Sequence, residues 1–362
     1  MGNFPCNFYT AKNEQQNYMK KVLNQHSKKG VMFNIAALLC VLSTFLLANA
    51  VYAADVAVDA LPTNGQVVAG DAHIATAGTS AAPVLNVNQT SQRAVVSWDK
   101  FDVGSNATVN FNQPNAQAST LNKITSGSPS KIMGKINAPG EVILVNQSGV
   151  YFTPSANLDV GSVVATSHDI SNADYMAGKA TYDRNGATGK VINEGNIKTA
   201  LGGYVALLAP EVRNSGVIVA QMGTVVLAAG ERITLNFDPS RHLASITATP
   251  SAIDALIENR TAVKAPGGLI ILSARAVNTL TAGVIKQSGT LSASADANTI
   301  TNKGGRIYLT ANTVKLEAAS QTVARGPAGG GEVHVTATQT ATVEATAKVS
   351  VSATETGNAG TI

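Results

Sequence analysis

The chain has 362 residues, 44% of them hydrophobic and only 13% charged, with 32 glycines and a formal net charge of +4. Charged residues make up about a quarter of an ordinary globular domain, so this composition disfavours both a helical bundle and a disordered charged tail. Lys12, Lys20, Lys21, Lys28 and Lys29 against Glu14 place the whole net charge within residues 1–53; the remainder is neutral and lacks the basic footprint that nucleic-acid binding requires.

Taken in chain order, the first element is a leader. A basic stretch, Lys20–Lys29, precedes an apolar run from Val31 to Leu47 that Asn34, Ser43 and Thr44 interrupt. Val51 and Ala53 then supply the small residues of a signal-peptidase site, with cleavage between Ala53 and Ala54. The run is too broken for a membrane anchor, which wants about 20 apolar residues, so residues 1–53 read as an extended secretory signal. Both cysteines, Cys6 and Cys40, leave with it. A mature chain without cysteine, entering an oxidising compartment, must draw its stability from a large regular core. It can also be threaded unfolded across a second membrane.

The next signal is a repeat. Gly202-Gly203 followed by Val205, Leu207 and Ala209 recurs as Gly267-Gly268 with Ile270, Leu272 and Ala274. It returns as Gly304-Gly305 with Ile307, Leu309 and Ala311, and as Gly330-Gly331 with Val333, Val335 and Ala337. Variants start at Gly140 (Val142, Leu144, Asn146) and Gly223 (Val225, Leu227, Ala229). A second phrase, Val191, Asn193, Gly195, Ile197, repeats 21 residues on as Val212, Asn214, Gly216, Ile218. Self-similarity at this period marks a solenoid, and period-2 apolar alternation between Gly and Asn corners marks short strands. The fold class expected is all-β, a parallel β-helix. Coils of about 21 residues over the mature chain give roughly 14 coils and a rod of about 65–70 Å at ~4.8 Å per coil. A β-sandwich would space its strands irregularly and would have no glycine-pair phrase.

Two segments depart from the pattern. Arg232–Phe237 and Leu243–Ala248 read as a hairpin outside the helix. Ser251–Glu258 places Ile253, Leu256 and Ile257 at helical spacing behind a weak Ser251/Asp254 capping box, which predicts a short helix or excursion. After residue 262 the units become simpler and richer in Ala and Thr. The pattern is still running at Ile362 without a polar capping repeat, as in the first part of a longer passenger.

Residues 61–262 contain many short blocks in a fixed order. These include Leu61-Pro62-Thr63-Asn64-Gly65, then Asn88–Gly104 with Trp98 and Phe101, then Val109–Pro114 and Leu121–Ile124. Val145–Phe152, Leu158–Gly161 and Asp169–Tyr175 complete the series. Together they resemble the N-terminal secretion domain of filamentous-haemagglutinin-type exoproteins, the passengers of bacterial two-partner secretion. The high-molecular-weight-adhesin branch is the most similar. The resemblance implies a right-handed β-helix with an N-terminal cap, no cofactor and no catalysis. It implies an outer-membrane β-barrel transporter with periplasmic POTRA domains as partner, and secretion to the surface of a Gram-negative bacterium through the periplasm. Host or bacterial surface glycans or receptors would be the partners of the longer rod. The implied domains are the signal (1–53), the secretion domain (54–262) and the start of a repetitive stalk (263–362).

The family's Asn-Pro-Asn-Gly signature falls on Asn146-Gln147-Ser148-Gly149, where the first and last residues match. Its Asn-Pro-Asn-Leu motif has a counterpart by position only, with Asn110, Asn112 and Pro114 as candidates. Asn146 can accept left-handed backbone angles and bond its own turn through its side chain.

A polysaccharide-cleaving β-helix is the rival class. It would need carboxylates on adjacent coils, and Asp99/Asp102 and Asp254/Glu258 are the tightest acidic pairs. Ser167-His168-Asp169 spells a triad, but consecutive strand residues face opposite ways and cannot converge on one atom. The mature histidines lack metal-ligand spacing, and no phosphate-loop phrase occurs. Trp98 and Phe101 read as core beneath the cap.

Overall fold

The computed structural model describes residues 56–277, 281–295 and 301–362. The predicted leader and its cleavage pair, Ala53 and Ala54, lie outside the described residues.

The chain from Val56 onward is a parallel β-helix with three faces. Nine described strands stack on the first face. In order they are Arg93–Trp98, Ser119–Ile124, the second halves of Lys135–Asn146 and Asn157–Thr166, Tyr204–Leu208, Thr224–Ala229, Leu269–Ala274, and the first halves of Arg306–Leu316 and Glu332–Val343. The sequence phrase dictates this register. Val142, Val163, Val205, Val225, Ile270, Ile307 and Val333 pair in one inward column, with β-branched side chains suited to a pleated surface. Two residues on, Leu144, Ala165, Leu207, Leu227, Leu272, Leu309 and Val335 form the next. The second glycine of each pair sits where coils touch: a Cβ on Gly223 would run into the carbonyl of Gly203, and one on Gly268 into that of Gly223.

Among the described residues the stack holds nine coils where the sequence predicts roughly fourteen, or about 40 Å at ~4.8 Å per coil. The missing length is spent in excursions. Residues between the first-face strands Asn157–Thr166 and Tyr204–Leu208, and again between Thr224–Ala229 and Leu269–Ala274, leave the helix and return. The expected hairpin Arg232–Phe237 with Leu243–Ala248 is present and antiparallel. A third strand, Thr181–Asp183, joins it from the earlier excursion. That excursion also holds a short helix, Asn172–Met176, capped where the Ser171 hydroxyl accepts the Asp174 N–H at 3.0 Å.

This small sheet and helix cover the outer side of the first face. Val95, Leu121, Ile143, Val164, Tyr204 and Val226 point outward from the rod and pack against Tyr175, Tyr182, Ile233 and Leu235 as a second core. That explains why Tyr204–Leu208 is buried on both sides.

The helix expected at Ser251–Glu258 is not formed. Ala255–Asn259 is a strand, stacked between Glu211–Asn214 and Gly283–Gln287. Helical spacing over eight residues is outweighed by two parallel ladders that place Ile257 in the core and Asn259 in a polar column.

The start of the helix is capped by antiparallel pairing, Gln66–Ala69 against Arg93–Trp98 and Ala72–Thr79 against Ala82–Gln89. Trp98 and Phe101, each 1% exposed, meet edge to face at 5.4 Å beneath it. The indole N–H donates to Asn122 Oδ1 at 3.0 Å.

Candidate functional site

The signature-like text 146–149 makes the corner between the first and second faces. Asn146 closes the strand Lys135–Asn146, Gln147 and Ser148 turn, and Gly149 opens the strand Gly149–Phe152. The Asn146 side chain is fully buried and uses both ends of its amide. Its Nδ2 donates to the Ser128 carbonyl and to Ser130 Oγ, both at 3.0 Å, tying the corner to the preceding coil. Its Oδ1 accepts the Ser148 N–H at 2.9 Å, an Asx-turn.

The left-handed residue of the corner is Gly149, at φ +111°; Asn146, which could accept such angles, does not use them. Asn146 is still the end of a paired strand, so the reversal falls on the residue without a Cβ. A Cβ at Gly149 would press on the Lys190 carbonyl of the next coil, and one on Gly189 would meet Gln147 and Ser148. Gln147 is exposed and Ser148 half-buried, so the corner shows a short polar face above a buried anchor. On the following strand the Tyr151 hydroxyl donates to Glu194. That bond, with burial and the carboxylate's charge, pushes the phenol up to about 12.

The second candidate lies at a different corner, between the third and first faces. Asn110 stands in an outer ladder, accepting from Asn137 at 3.0 Å and donating to Asn86 at 3.1 Å. Asn112 donates to Asn88 at 2.8 Å, and Pro114 is exposed. The residue that holds this corner is Gln113, buried between them. Its Nε2 donates to Thr120 Oγ1 at 2.9 Å and to the Glu141 carbonyl at 2.8 Å, and its Oε1 accepts the Gly140 N–H at 2.8 Å. Thr120 passes the chain of bonds on to Gln89 at 2.5 Å. Sequence reasoning missed Gln113. Its signal was a polar residue where the inward alternation Val109, Phe111 continues.

The two candidates do not form one surface. They nevertheless hold one strand, Lys135–Asn146: Gln113 fixes residues 140–141 where its first-face half begins, and Asn146 fixes its end.

The acidic pairs weighed for catalysis have structural partners. Asp99 accepts from Asn64 at 2.6 Å, Asp102 from the Lys131 N–H at 2.8 Å, and Asp254 from the Ala282 N–H at 2.7 Å. Glu258 pairs with Arg260 at 3.0 Å. Ser167, His168 and Asp169 lie just past the strand Asn157–Thr166: Ser167 and His168 form a bend, and Asp169 makes an isolated antiparallel bridge to Asp183, not the continuous strand expected. His168 is fully buried, and its Nε2 meets the Gly230 carbonyl at 2.7 Å where the two excursions begin. Among the described residues no group of three His, Cys, Asp or Glu side chains could hold a metal.

The model of the TPS secretion domain matches residues 55–322. The chain belongs to this family. It therefore carries the secretion domain of a two-partner secretion exoprotein. It is 30% identical over 265 residues to a heme/hemopexin-binding protein of Haemophilus influenzae, a match covering 71% of this chain and 28% of the relative. A second heme/hemopexin-binding protein of that species is 28% identical over 259 residues, or 27% of its length. The chain thus spans under a third of the curated relatives it matches. Among solved structures, the HMW1 secretion domain of Haemophilus influenzae superposes with a TM-score of 0.65 at 23% identity, over 81% of this chain and 84% of that one. This likeness supports the β-helical fold.

Proposed function

We propose that this TPS secretion domain directs a longer exoprotein out of a Gram-negative cell. A leader over residues 1–53 takes the chain to the periplasm and is removed between Ala53 and Ala54. A dedicated outer-membrane β-barrel with POTRA domains then recognises the region 54–262, and residues 263–362 begin the stalk of an adhesive rod. The corner Asn146, Gln147, Ser148, Gly149 and the segment Asn110, Asn112, Pro114 are the recognition elements. The domain acts by binding and folding, without cofactor or chemistry, and surface glycans or receptors engage the rod further along.

The observation that carries this reading is the family match over residues 55–322, together with a signature corner whose buried Asn146 and positive-φ Gly149 are the two positions where the text agrees with the family's motif. Deleting the gene for the partner transporter tests it. Processed protein starting at Ala54 is expected to accumulate and be degraded in the periplasm. Undiminished extracellular protein in the deletion strain would refute the reading.

A further inference from the structure

A cleft of about 360 Å³ lies where the excursions meet the first face of the rod. Its size is at the lower end of small-ligand sites, roughly 300–1,000 Å³. The fold makes it from two sources. The rod contributes Glu141, Arg93 and Tyr204, and the excursions contribute Tyr175, Tyr182 and Phe237.

Each polar group in it has a definite state. Tyr175 donates to Ser119 Oγ at 2.9 Å, and the Tyr204 hydroxyl donates to Glu141. Tyr182 is different. Its side chain is 1% exposed and lines the cleft, yet its hydroxyl has no hydrogen-bond partner among the described residues. The buried side-chain atoms without a hydrogen-bond partner among the described residues are Ser167 Oγ, His168 Nδ1, Asp169 Oδ1 and Thr322 Oγ1; the Tyr182 hydroxyl is not among them and keeps access to the cleft. The half-buried Arg93 guanidinium lies 5.2 Å from the Tyr175 ring centre and has no carboxylate partner among the described residues. At the rim, Lys179 is neutralised by Asp174 at 2.6 Å and His242 faces Asp238 at 3.3 Å, while Arg241 is exposed without an acid.

The cleft therefore offers one exposed aromatic side chain, Phe237, one hydroxyl without a protein partner, one carboxylate that can accept from hydroxyl donors, and a guanidinium with no carboxylate partner among the described residues. The Phe237 ring can pack against the C–H side of a sugar ring, the hydroxyl and Glu141 suit ring hydroxyls, and a guanidinium forks onto a carboxylate. We propose that this cleft binds a sugar acid of the hexuronate class, with its carboxylate on Arg93 and a ring hydroxyl on Tyr182. The site is independent of the secretion role, and neither reading falls with the other.

Titration calorimetry on the secreted chain, with D-glucuronate and D-galacturonate as probes and D-glucose as the neutral control, tests the proposal. Saturable binding of at least one uronate is expected, with glucose weaker by about tenfold or more, because a charge-assisted contact is lost. Tyr182→Phe removes a single oxygen that has no protein partner, so the fold is retained and uronate affinity is expected to drop about 3- to 10-fold. Arg93→Gln is expected to abolish the preference for the acid over glucose. Circular dichroism of both variants should match the parent. Absence of saturable heat with both uronates, glucose binding as tightly as the acids, or unchanged uronate affinity in both variants would each overturn the assignment.

Discussion

Asn146 has a neighbour, Gln147, that makes a sharp internal control. Asn146→Ile removes two donations and one acceptance, and leaves the Ser148 N–H and Ser130 Oγ without their partner in a closed corner. With each such loss at about 1–3 kcal/mol, urea unfolding should show Asn146→Ile less stable by roughly 2–5 kcal/mol. Gln147→Ala, on the exposed lip, should stay within about 0.5 kcal/mol. Asn146 was legible from its family-like text; Gln113 was not, because a glutamine next to Asn112 and Pro114 reads as exposed loop. Its burial depends on Gly140 and Glu141, 27 and 28 residues further on. His168 allows a second test. Burial holds its pKa below the ordinary value, against the Gly230 carbonyl and the nearby Glu231 and Asp183, with Arg184 acting in the same direction as burial. Below about 6.5 the unfolded chain binds a proton that the folded one resists, so stability is full above that pH and falls as pH drops through it. Urea midpoints measured from pH 7 to pH 5 should decline in the parent and decline less in His168→Gln. Carboxylates held low by their partners, such as Glu231 and Asp174, contribute their own loss only below about 4.5.

Among the elements, the corner after the second face carries a continuous amide column. Asn193 donates to Asn214 at 2.8 Å, Asn214 to Asn259 at 2.8 Å, and Asn259 to Gln287 at 2.7 Å, all four fully buried. Gln287 ends the run on the carbonyls of Gly289 and Gln321, both at 3.0 Å. Asn214→Leu would strip a donor from one neighbour's oxygen and an acceptor from the other's nitrogen, and should cost roughly 2–5 kcal/mol in urea unfolding. Replacing all four amides by Leu should cost less per residue, because no buried amide is then left unmatched. If the fourfold variant loses as much per site as Asn214→Leu, pairing along the column is not what stabilises it. The first rung of this column was readable, since Asn193 and Asn214 share a phrase 21 residues apart. Its extension to Asn259 was hidden, because an excursion separates the two coils by 45 residues. The same excursion let Ser251–Glu258 pass for a helix and inflated the number of coils expected. Short-range periodicity reports which residues face inward; it does not report which coil a strand stacks on.

For the whole molecule, the decisive physical fact is that every coil rests on the one before it, so a folded stack can hardly pass a pore in one piece. Both cysteines of this sequence, Cys6 and Cys40, precede residue 54, so no disulfide can lock a coil pair within residues 54–362. That condition can be reversed by design. Asn196 and Val217 are register partners on adjacent coils, one exposed and one half-buried, 21 residues apart in sequence. Neighbouring strands lie ~4.8 Å apart, inside the ~4.4–6.8 Å Cα range of a disulfide. Asn196→Cys with Val217→Cys should therefore form a bond without disturbing the core column of Ile197 and Ile218. In the oxidising periplasm this bond would fix a loop before the chain is threaded. Extracellular yield of the double variant is expected to fall at least tenfold relative to either single variant, and to recover when cells are grown with a thiol reductant, since the cross-link forms only under oxidising conditions and a thiol cleaves it. The purified, oxidised double variant should unfold at higher urea than the parent, which separates a block in transit from a defect in folding. Full export of the oxidised double variant would mean that the transporter accepts a closed loop, and that the absence of cysteine from residues 54–362 has another cause.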